Sequence, residues 1–291
     1  MSRIIIGTAL NRHLRFYLGD TTEMVEEARK IHDCYPTSLA ALGRVMSVTA
    51  CMGLRQKEEG ESLTTTINGG GAIGTIMVSA DSKGNVKGFV GDNHIYLKYN
   101  SSNKLAVGLA VGNNGYLKVL KNLKLKNNYT SQVKLRSGEI GDDFAYYFSV
   151  SEQIPTVVSV GVLVDVDYSC KSAGVLLLEL LPDHTEEDIK YVEKLANNLE
   201  PISSVIDKDN DLEKYIKSLF VDAEVLESRE VKYYCNCSKE KFLANLLTLP
   251  KKDLIDLSKD PSVEIKCEFC EKVYTYDEND INLLMKYVKD R

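Results

Sequence analysis

Four of the seven cysteines in this chain are grouped near its C-terminus. They stand as Cys235-Asn236-Cys237 and, after a gap of 29 residues, Cys267-Glu268-Phe269-Cys270. Two close pairs separated by a foldable stretch can put four thiolates around one tetrahedral zinc ion. No histidine follows His184, so these cysteines are the soft ligands available in that part of the chain. Sulfur is also readily oxidised, so an all-thiolate site can hold a fold together and also be dismantled by oxidants. The rival chemistry for a CxxC is a thioredoxin-like redox pair in a βαβ setting. Here the CxxC falls between two β-type runs, Val263–Lys266 and Lys272–Tyr276, and a second cysteine pair stands ready.

Other chemistry-bearing residues read as structural. Cys34, Cys51 and Cys170 lie among apolar or small neighbours, as buried small hydrophobes do. Gly69-Gly70-Gly71-Ala72-Ile73-Gly74 matches G-x-G-x-x-G, but a nucleotide site needs a helix after it, and the β-type run Thr75–Val78 follows instead. A glycine-made turn is expected there, and another at Gly112–Gly115. No P-loop is present, so ATP use is not expected. Ser137-Gly138-Glu139-Ile140-Gly141-Asp142-Asp143 gathers three carboxylates. These are expected to form a turn with acidic residues at the next helix's N-terminus. His13, His32, His94 and His184 have no Ser or Cys partner at a recognisable spacing.

The elements around these residues come in mixed clumps, which favours α+β over a doubly wound sheet. Ile4–Ile6 and Leu14–Leu18 predict a hairpin around Asn11-Arg12. Asp20-Thr21-Thr22-Glu23 offers a helix start, and a second helix fits Thr37 to about Arg55. Strands are expected at Leu63–Ile67, Thr75–Val78, Asn85–Val90, Tyr129–Leu135, Thr156–Asp165 and Gly174–Leu181, and a helix at Asp142–Val150. From Pro182 the texture changes. Asp183 to Glu230 holds 14 acidic and 6 basic residues, a net of −8. Two helices are expected there, one from Thr185 with Ile189, Val192, Ala196 and Leu199 on a face, one with Leu212, Tyr215, Ile216, Leu219 and Phe220. The Asp207–Asp211 run between them reads as a solvated loop. This stretch has apolar stripes and no core of its own, so it must lie on something or partly melt.

The last roughly 60 residues form a unit too small to be stable by core burial alone. Ser238 is expected to cap a helix bearing Phe242, Leu243, Leu246 and Leu247. A short helix is expected at Leu254–Leu257, then the hairpin with CxxC at its turn. Asp277 should cap a last helix with Ile281, Leu284, Met285 and Val288. The organisation expected is thus an N-terminal mixed α/β core domain over 1–181, a helical linker over 182–231 and a small four-cysteine zinc-binding domain over 232–291.

Composition bounds the function. The chain has 291 residues, 44% hydrophobic and 27% charged, with net charge −6. An acidic chain does not seek phosphate, so nucleic acid is not an expected partner. No apolar run approaches the roughly 20 residues of a membrane span, and the apolar start is too short for a signal peptide. A cytoplasmic chain with reduced thiols is expected. A zinc-ribbon adaptor and a CxxC disulfide oxidoreductase remain open readings of the cysteines taken alone.

Several motifs together carry a resemblance over the whole length. They are the CxC and CxxC with their spacing, Ala41-Leu42-Gly43-Arg44, Asn68-Gly69-Gly70-Gly71, and Val111-Gly112-Asn113-Asn114-Gly115. Ser137–Tyr147 and Ser151-Glu152-Gln153-Ile154-Pro155-Thr156 complete the set. The chain resembles the redox-switched bacterial holdase chaperones, the 33 kDa heat-shock protein family. It departs from that pattern at Val175, where a second glycine is usual, and near Glu179, where the family has a glutamine. The resemblance implies an ATP-independent chaperone rather than an enzyme, with one Zn²⁺ per reduced chain held by Cys235, Cys237, Cys267 and Cys270. It implies that oxidation forms the disulfides Cys235–Cys237 and Cys267–Cys270, expels zinc and unfolds the C-terminal domain and linker. Surface for unfolding client proteins then appears, and the active form dimerises. A CxxC disulfide ring is less strained than a CxC ring, so Cys267–Cys270 is expected to close first.

Overall fold

The β-branched start of the chain forms β1 (Arg3–Ala9), which turns through left-handed backbone at Leu10, Asn11 and Arg12 into β2 (Leu14–Asp20). α1 (Thr22–His32) begins under the Asp20 carboxylate, which accepts from the Thr22 N–H at 3.0 Å, while the Thr21 hydroxyl pairs with Ser47 at 2.7 Å. α2 (Pro36–Leu54) starts on a proline, whose missing N–H has no helical partner to lose there. Every residue of α2 except Arg44 is buried, so it is a core helix rather than an amphipathic one. By length and composition it would also reach across a membrane, but its apolar surface is taken up inside the protein.

The elements that follow are β3 (Ser62–Asn68), β4 (Ile76–Asp81), β5 (Asn85–Val90), α3 (Val107–Val111), β6 (Tyr116–Asn122) and β7 (Tyr129–Lys134). Next come α4 (Gly141–Tyr147), ending in one π-helical turn at Phe148–Glu152, then β8 (Thr156–Val164) and β9 (Cys170–Leu180). α5 (Glu186–Ala196), α6 (Ile202–Lys208), α7 (Leu212–Leu219), β10 (Glu224–Glu230) and β11 (Lys232–Tyr233) complete the larger of two compact units, Met1–Tyr234. The structure, a computed structural model, describes residues 1–102, 104–260 and 262–285.

Two sheets result, an antiparallel one in the order β10-β1-β2-β9-β8 and one in the order β11-β5-β4-β3-β6-β7, in which β11 runs parallel to β5 and the other pairs are antiparallel. α2 packs on β3, β4 and β5 of the second sheet and on β8 and β9 of the first, and so joins their inner faces. The central strands of the first sheet, β2 and β9, are buried on both sides. Tyr17, Ala173, Val175 and Leu177 face the α2 core, while Leu14, Phe16, Leu18, Leu176, Leu178 and Leu180 face a second cluster. This alternation is the period-two geometry of a strand.

The second cluster answers where the acidic stretch lies. Val192 of α5, Ile202 and Ile206 of α6, and Leu212 and Ile216 of α7 cover the outer face of β2 and β9, with Phe220 and Ala223 beyond them. The stretch holds three helices where two are expected from sequence, because α6 is short and begins at Pro201 without a side-chain cap. α5 carries the anticipated start signal as a full capping box between Thr185 and Asp188. β10, a charged run, also goes unforeseen. It is a strand because β1 offers it an edge to pair with.

The smaller unit, Cys235–Arg291, contains α8 (Lys239–Leu246), α9 (Lys251–Leu257), β12 (Val263–Lys266), β13 (Val273–Tyr276) and α10 (Glu278–Met285). The Ser238 hydroxyl accepts from the Lys241 N–H, and the Asp277 carboxylate accepts from the Asp280 N–H at 2.9 Å, as the sequence predicts for both caps. Val288 and the side chains of Leu284 and Met285 lie outside what the structure describes. The apolar cluster here contains two fully buried residues, Tyr276 and Ile281, among the described residues.

Candidate metal centre

All four grouped cysteines fall in the smaller unit, and their sulfur atoms lie within 4.8 Å of one another. Cys267 is buried and the other three are half-buried. The β12–β13 hairpin positions Cys267 and Cys270. The Cys267 N–H donates to the Lys272 carbonyl at 2.9 Å, and the Cys270 and Glu271 N–H groups donate back to the Cys267 carbonyl at 3.2 and 2.8 Å. Glu271 adopts a left-handed φ of 62° to make that fold-back, and Lys266 pairs with its carboxylate across the turn. Cys235 and Cys237 lie just before α8, where Lys241 reaches back to the Asn236 carbonyl at 2.6 Å.

The nearest sulfur contacts run between the motifs, Cys235 to Cys267 at 3.8 Å and Cys237 to Cys270 at 3.2 Å. Zinc–thiolate bonds of about 2.3 Å in a tetrahedron put neighbouring sulfurs about 3.8 Å apart, so the set fits one such ion with small adjustment. Tyr274 on β13 adds a partner that sequence reading misses. Its hydroxyl lies 3.2 Å from Cys237 Sγ and 3.1 Å from the Cys237 carbonyl oxygen. Only strand alternation, placing Tyr274 on the sulfur side of β13, hints at it.

Burial works against ionising Cys237, but hydrogen bonding from Tyr274 and the neighbouring thiols overcomes this and brings its pKa down to about 7. Burial, and the sulfurs of Cys237, Cys267 and Cys235 beside it, push Cys270 the other way. The asymmetry follows from crowding: without a cation, adjacent thiolates repel, so one ionises and its neighbour keeps its proton.

The remaining cysteines are placed as expected. Cys34, Cys51 and Cys170 are buried, and burial raises all three thiols, Cys34 and Cys170 to about 12. A thiol raised in this way ionises less readily, and the thiolate is the reactive form. The glycine run at 69–74 turns between β3 and β4, with Gly71 and Ile73 donating to the carbonyls of Val111 and Ala110. In the 137–143 segment Asp143 accepts from the N–H groups of Arg136 and Ser137. Glu139 pairs with Arg44 at 3.0 Å and accepts from the Tyr99 hydroxyl at 2.6 Å. These carboxylates tie loops together. The histidines are dispersed: His13 contacts Asp188, His32 contacts Tyr233, His94 contacts Asp33 and His184 contacts the Leu181 carbonyl.

Comparison with known proteins agrees with this architecture. The family model described as Hsp33 protein matches residues 2–277. The "33 kDa chaperonin" of Alkaliphilus oremlandii is 40% identical, with 99% of this chain and 97% of that protein covered. That of Clostridium botulinum strain Alaska E43 is 42% identical, with 98% and 97% covered. The crystal structure of the 33 kDa chaperonin from Thermotoga maritima superposes with a TM-score of 0.88 at 35% identity, covering 98% of each chain. An α+β fold shared with that structure, and about 40% identity to 33 kDa chaperonins over nearly the whole chain, define a chaperone of the heat-shock class. The chain belongs to the Hsp33 protein family.

Proposed function

We propose that this chain is an ATP-independent holdase switched by oxidation of its four grouped cysteines. In the reduced state Cys235, Cys237, Cys267 and Cys270 would hold one Zn²⁺, in a compartment we take to be the cytoplasm. The ion would supply structural cross-linking, an apparent ~10–16 kcal/mol in small zinc units against a typical domain stability of ~5–15 kcal/mol. The observation that carries the reading is the contrast inside the smaller unit. Four sulfurs lie within 4.8 Å of one another, while the apolar cluster has Tyr276 and Ile281 as its fully buried members among the described residues. A unit with so little core depends on what its sulfurs bind.

Oxidation removes the ligands. Four thiolates give up four electrons and form two S–S bonds, Cys267–Cys270 and then Cys235–Cys237. Two molecules of hydrogen peroxide are reduced to water with uptake of protons. Each bridge closes a very small loop and restrains the unfolded chain little, so the unit unfolds although cross-linked. The 182–231 segment then leaves the outer face of β2 and β9, exposing Phe16, Leu18, Leu176 and Leu178 to unfolding clients. The oxidised form dimerises through such apolar surface.

The test is to measure bound zinc and suppression of client aggregation before and after peroxide at heat-shock temperature. The expected result is stoichiometric zinc without activity, then activity as zinc is lost. Full activity in the zinc-loaded, reduced chain would refute the switch.

A further inference from the structure

β8 is the last strand of its sheet and pairs with β9 alone. The register shows which backbone groups are left over. The Leu180 N–H donates to the Pro155 carbonyl, so Pro155 and the odd-numbered residues after it bond to β9. Val160 and Val162 therefore turn their N–H and C=O groups to the outer edge, where no hydrogen bond to them is formed among the described residues; the Val158 carbonyl before them lies against Gly141 at the start of α4. A cleft of about 710 Å³ runs along this edge, within the size range of ligand clefts. Seven consecutive residues, Val160 to Val166, line it. A strand offering a face would line a cleft with alternate residues; a consecutive run means that the main-chain edge is what the cleft contains. The part of the run that belongs to β8, Val160–Val164, spans about 13 Å at 3.3 Å per residue.

The opposite wall is the loop around the Lys98–Leu105 bridge, bringing Tyr96 and Tyr99. Exposed apolar surface collects at the mouth: Tyr96 is 45% and Val166 95% exposed, and the Tyr96 ring lies 5.7 Å from that of Tyr168. Lys98 stands over the Tyr96 ring, and Lys104 shares the rim. The remaining wall is the start of α6, Pro201, Ser203 and Ser204, which belongs to the acidic 182–231 segment.

We propose that the outer edge of β8 is a strand-addition site for an extended segment of an unfolding client. Unpaired N–H and C=O groups recognise any extended main chain and leave sequence unread, which suits a binder of many clients. Alternate apolar residues of the segment would meet the valine side chains and Tyr96, and an acidic flank would meet Lys98 and Lys104. Departure of α6 with the rest of its segment removes one wall, so the edge opens in the same step that exposes the outer face of the sheet. This rests on the oxidation-switched reading and gives it a site with hydrogen-bond directionality.

The experiment uses the full-length oxidised chain. The probe is a fluorescent seven-residue peptide, apolar at alternate positions with one glutamate flank, beside the same peptide N-methylated at every second amide. The N-methylated peptide is expected to bind at least tenfold more weakly. Val160→Pro, which removes an outward N–H from an edge strand that tolerates proline, is expected to weaken the unmodified peptide at least tenfold. Val160→Ala keeps the N–H and is expected to change it less than threefold. If Val160→Pro does not fold, the peptide pair on the unaltered chain decides alone. Equal binding of both peptides overturns the proposal, as does loss of dimers rather than of peptide in Val160→Pro, which would make a second β8 the occupant. Equal peptide binding with aggregation suppression intact removes only the edge site; absence of suppression under any oxidant removes the holdase reading and the site with it.

Discussion

Truncating Ile216 to alanine is expected to release the acidic helices from the sheet without touching the sulfurs. Ile216 is fully buried on α7, which packs on β2, and it shares a cluster with Leu14, Phe16 and Leu18. Removing a buried isoleucine side chain to alanine costs about 2–5 kcal/mol. At about 1.4 kcal/mol per factor of ten, the equilibrium for lifting these helices rises by roughly 30-fold to several-thousand-fold. That matters because local opening can lie well below global unfolding in free energy. The assay is amide hydrogen exchange across residues 186–219 in the reduced, zinc-loaded chain, with aggregation suppression read in parallel. Protection in 186–219 is expected to fall selectively, with partial activity before any oxidant is added. Leu117→Ala, equally buried but in the α2 core, is the control. It should lower the melting temperature and leave 186–219 comparatively protected. If Ile216→Ala instead lowers all protected amides together, the helices unfold only with the sheet, and the idea of a separable segment is wrong.

Further expectations concern the centre and a buried charge group. Cys267→Ser should abolish stoichiometric zinc binding and unfold the smaller unit. The melting of Met1–Tyr234 should survive, as followed by metal analysis and backbone NMR. Tyr274→Phe deletes the hydroxyl beside Cys237 Sγ and should weaken zinc about 10–100-fold in a chelator competition, the usual effect of losing a partner that orients a ligand. In the larger unit Arg55 lies 2.9 Å from Glu152 and 3.2 Å from Glu179. Burial raises Glu179, which outweighs the attraction of Arg55, and Glu179 Oε1 has no aligned hydrogen bond. Glu152 is also penalised by burial, yet Arg55 and Lys121 hold it below the ordinary range. The folded state therefore binds a proton at Glu179 more tightly than the unfolded state does. Its contribution is complete below about pH 4.5 and is lost as pH rises through the raised value. Glu179→Gln should remove that loss, and urea melts should show the variant gaining on the parent as pH rises from about 4.5. Glu152 acts in the opposite sense at lower pH, so the acid limb below 4.5 should persist in the variant.

Much of the centre was legible because its information is local. CxC and CxxC fix ligand spacing within a few bonds, and the runs flanking Cys267–Cys270 alternate as a hairpin must. The caps at Ser238, Thr185 and Asp277 were legible for the same reason: a side-chain oxygen reaches an N–H only three residues on. Tyr274 escaped because its partner, Cys237, is 37 residues away. β6 carries lysines between apolar residues and could have been read from its alternation, whereas β10 becomes a strand only because β1 has a free edge beside it.

The amino-acid sequence by itself determined the spacing of the four grouped cysteines, the α+β character and a charged helical stretch that could not stand alone. Each depends on residue type and near-neighbour spacing. Tertiary structure alone decided that β2 and β9 are covered on both faces and that α5, α6 and α7 supply the outer cover. It also left the β8 edge open along a cleft. Those outcomes depend on which distant strands pair and which face remains to be buried, and alternation along one strand does not say which partner will bury either side.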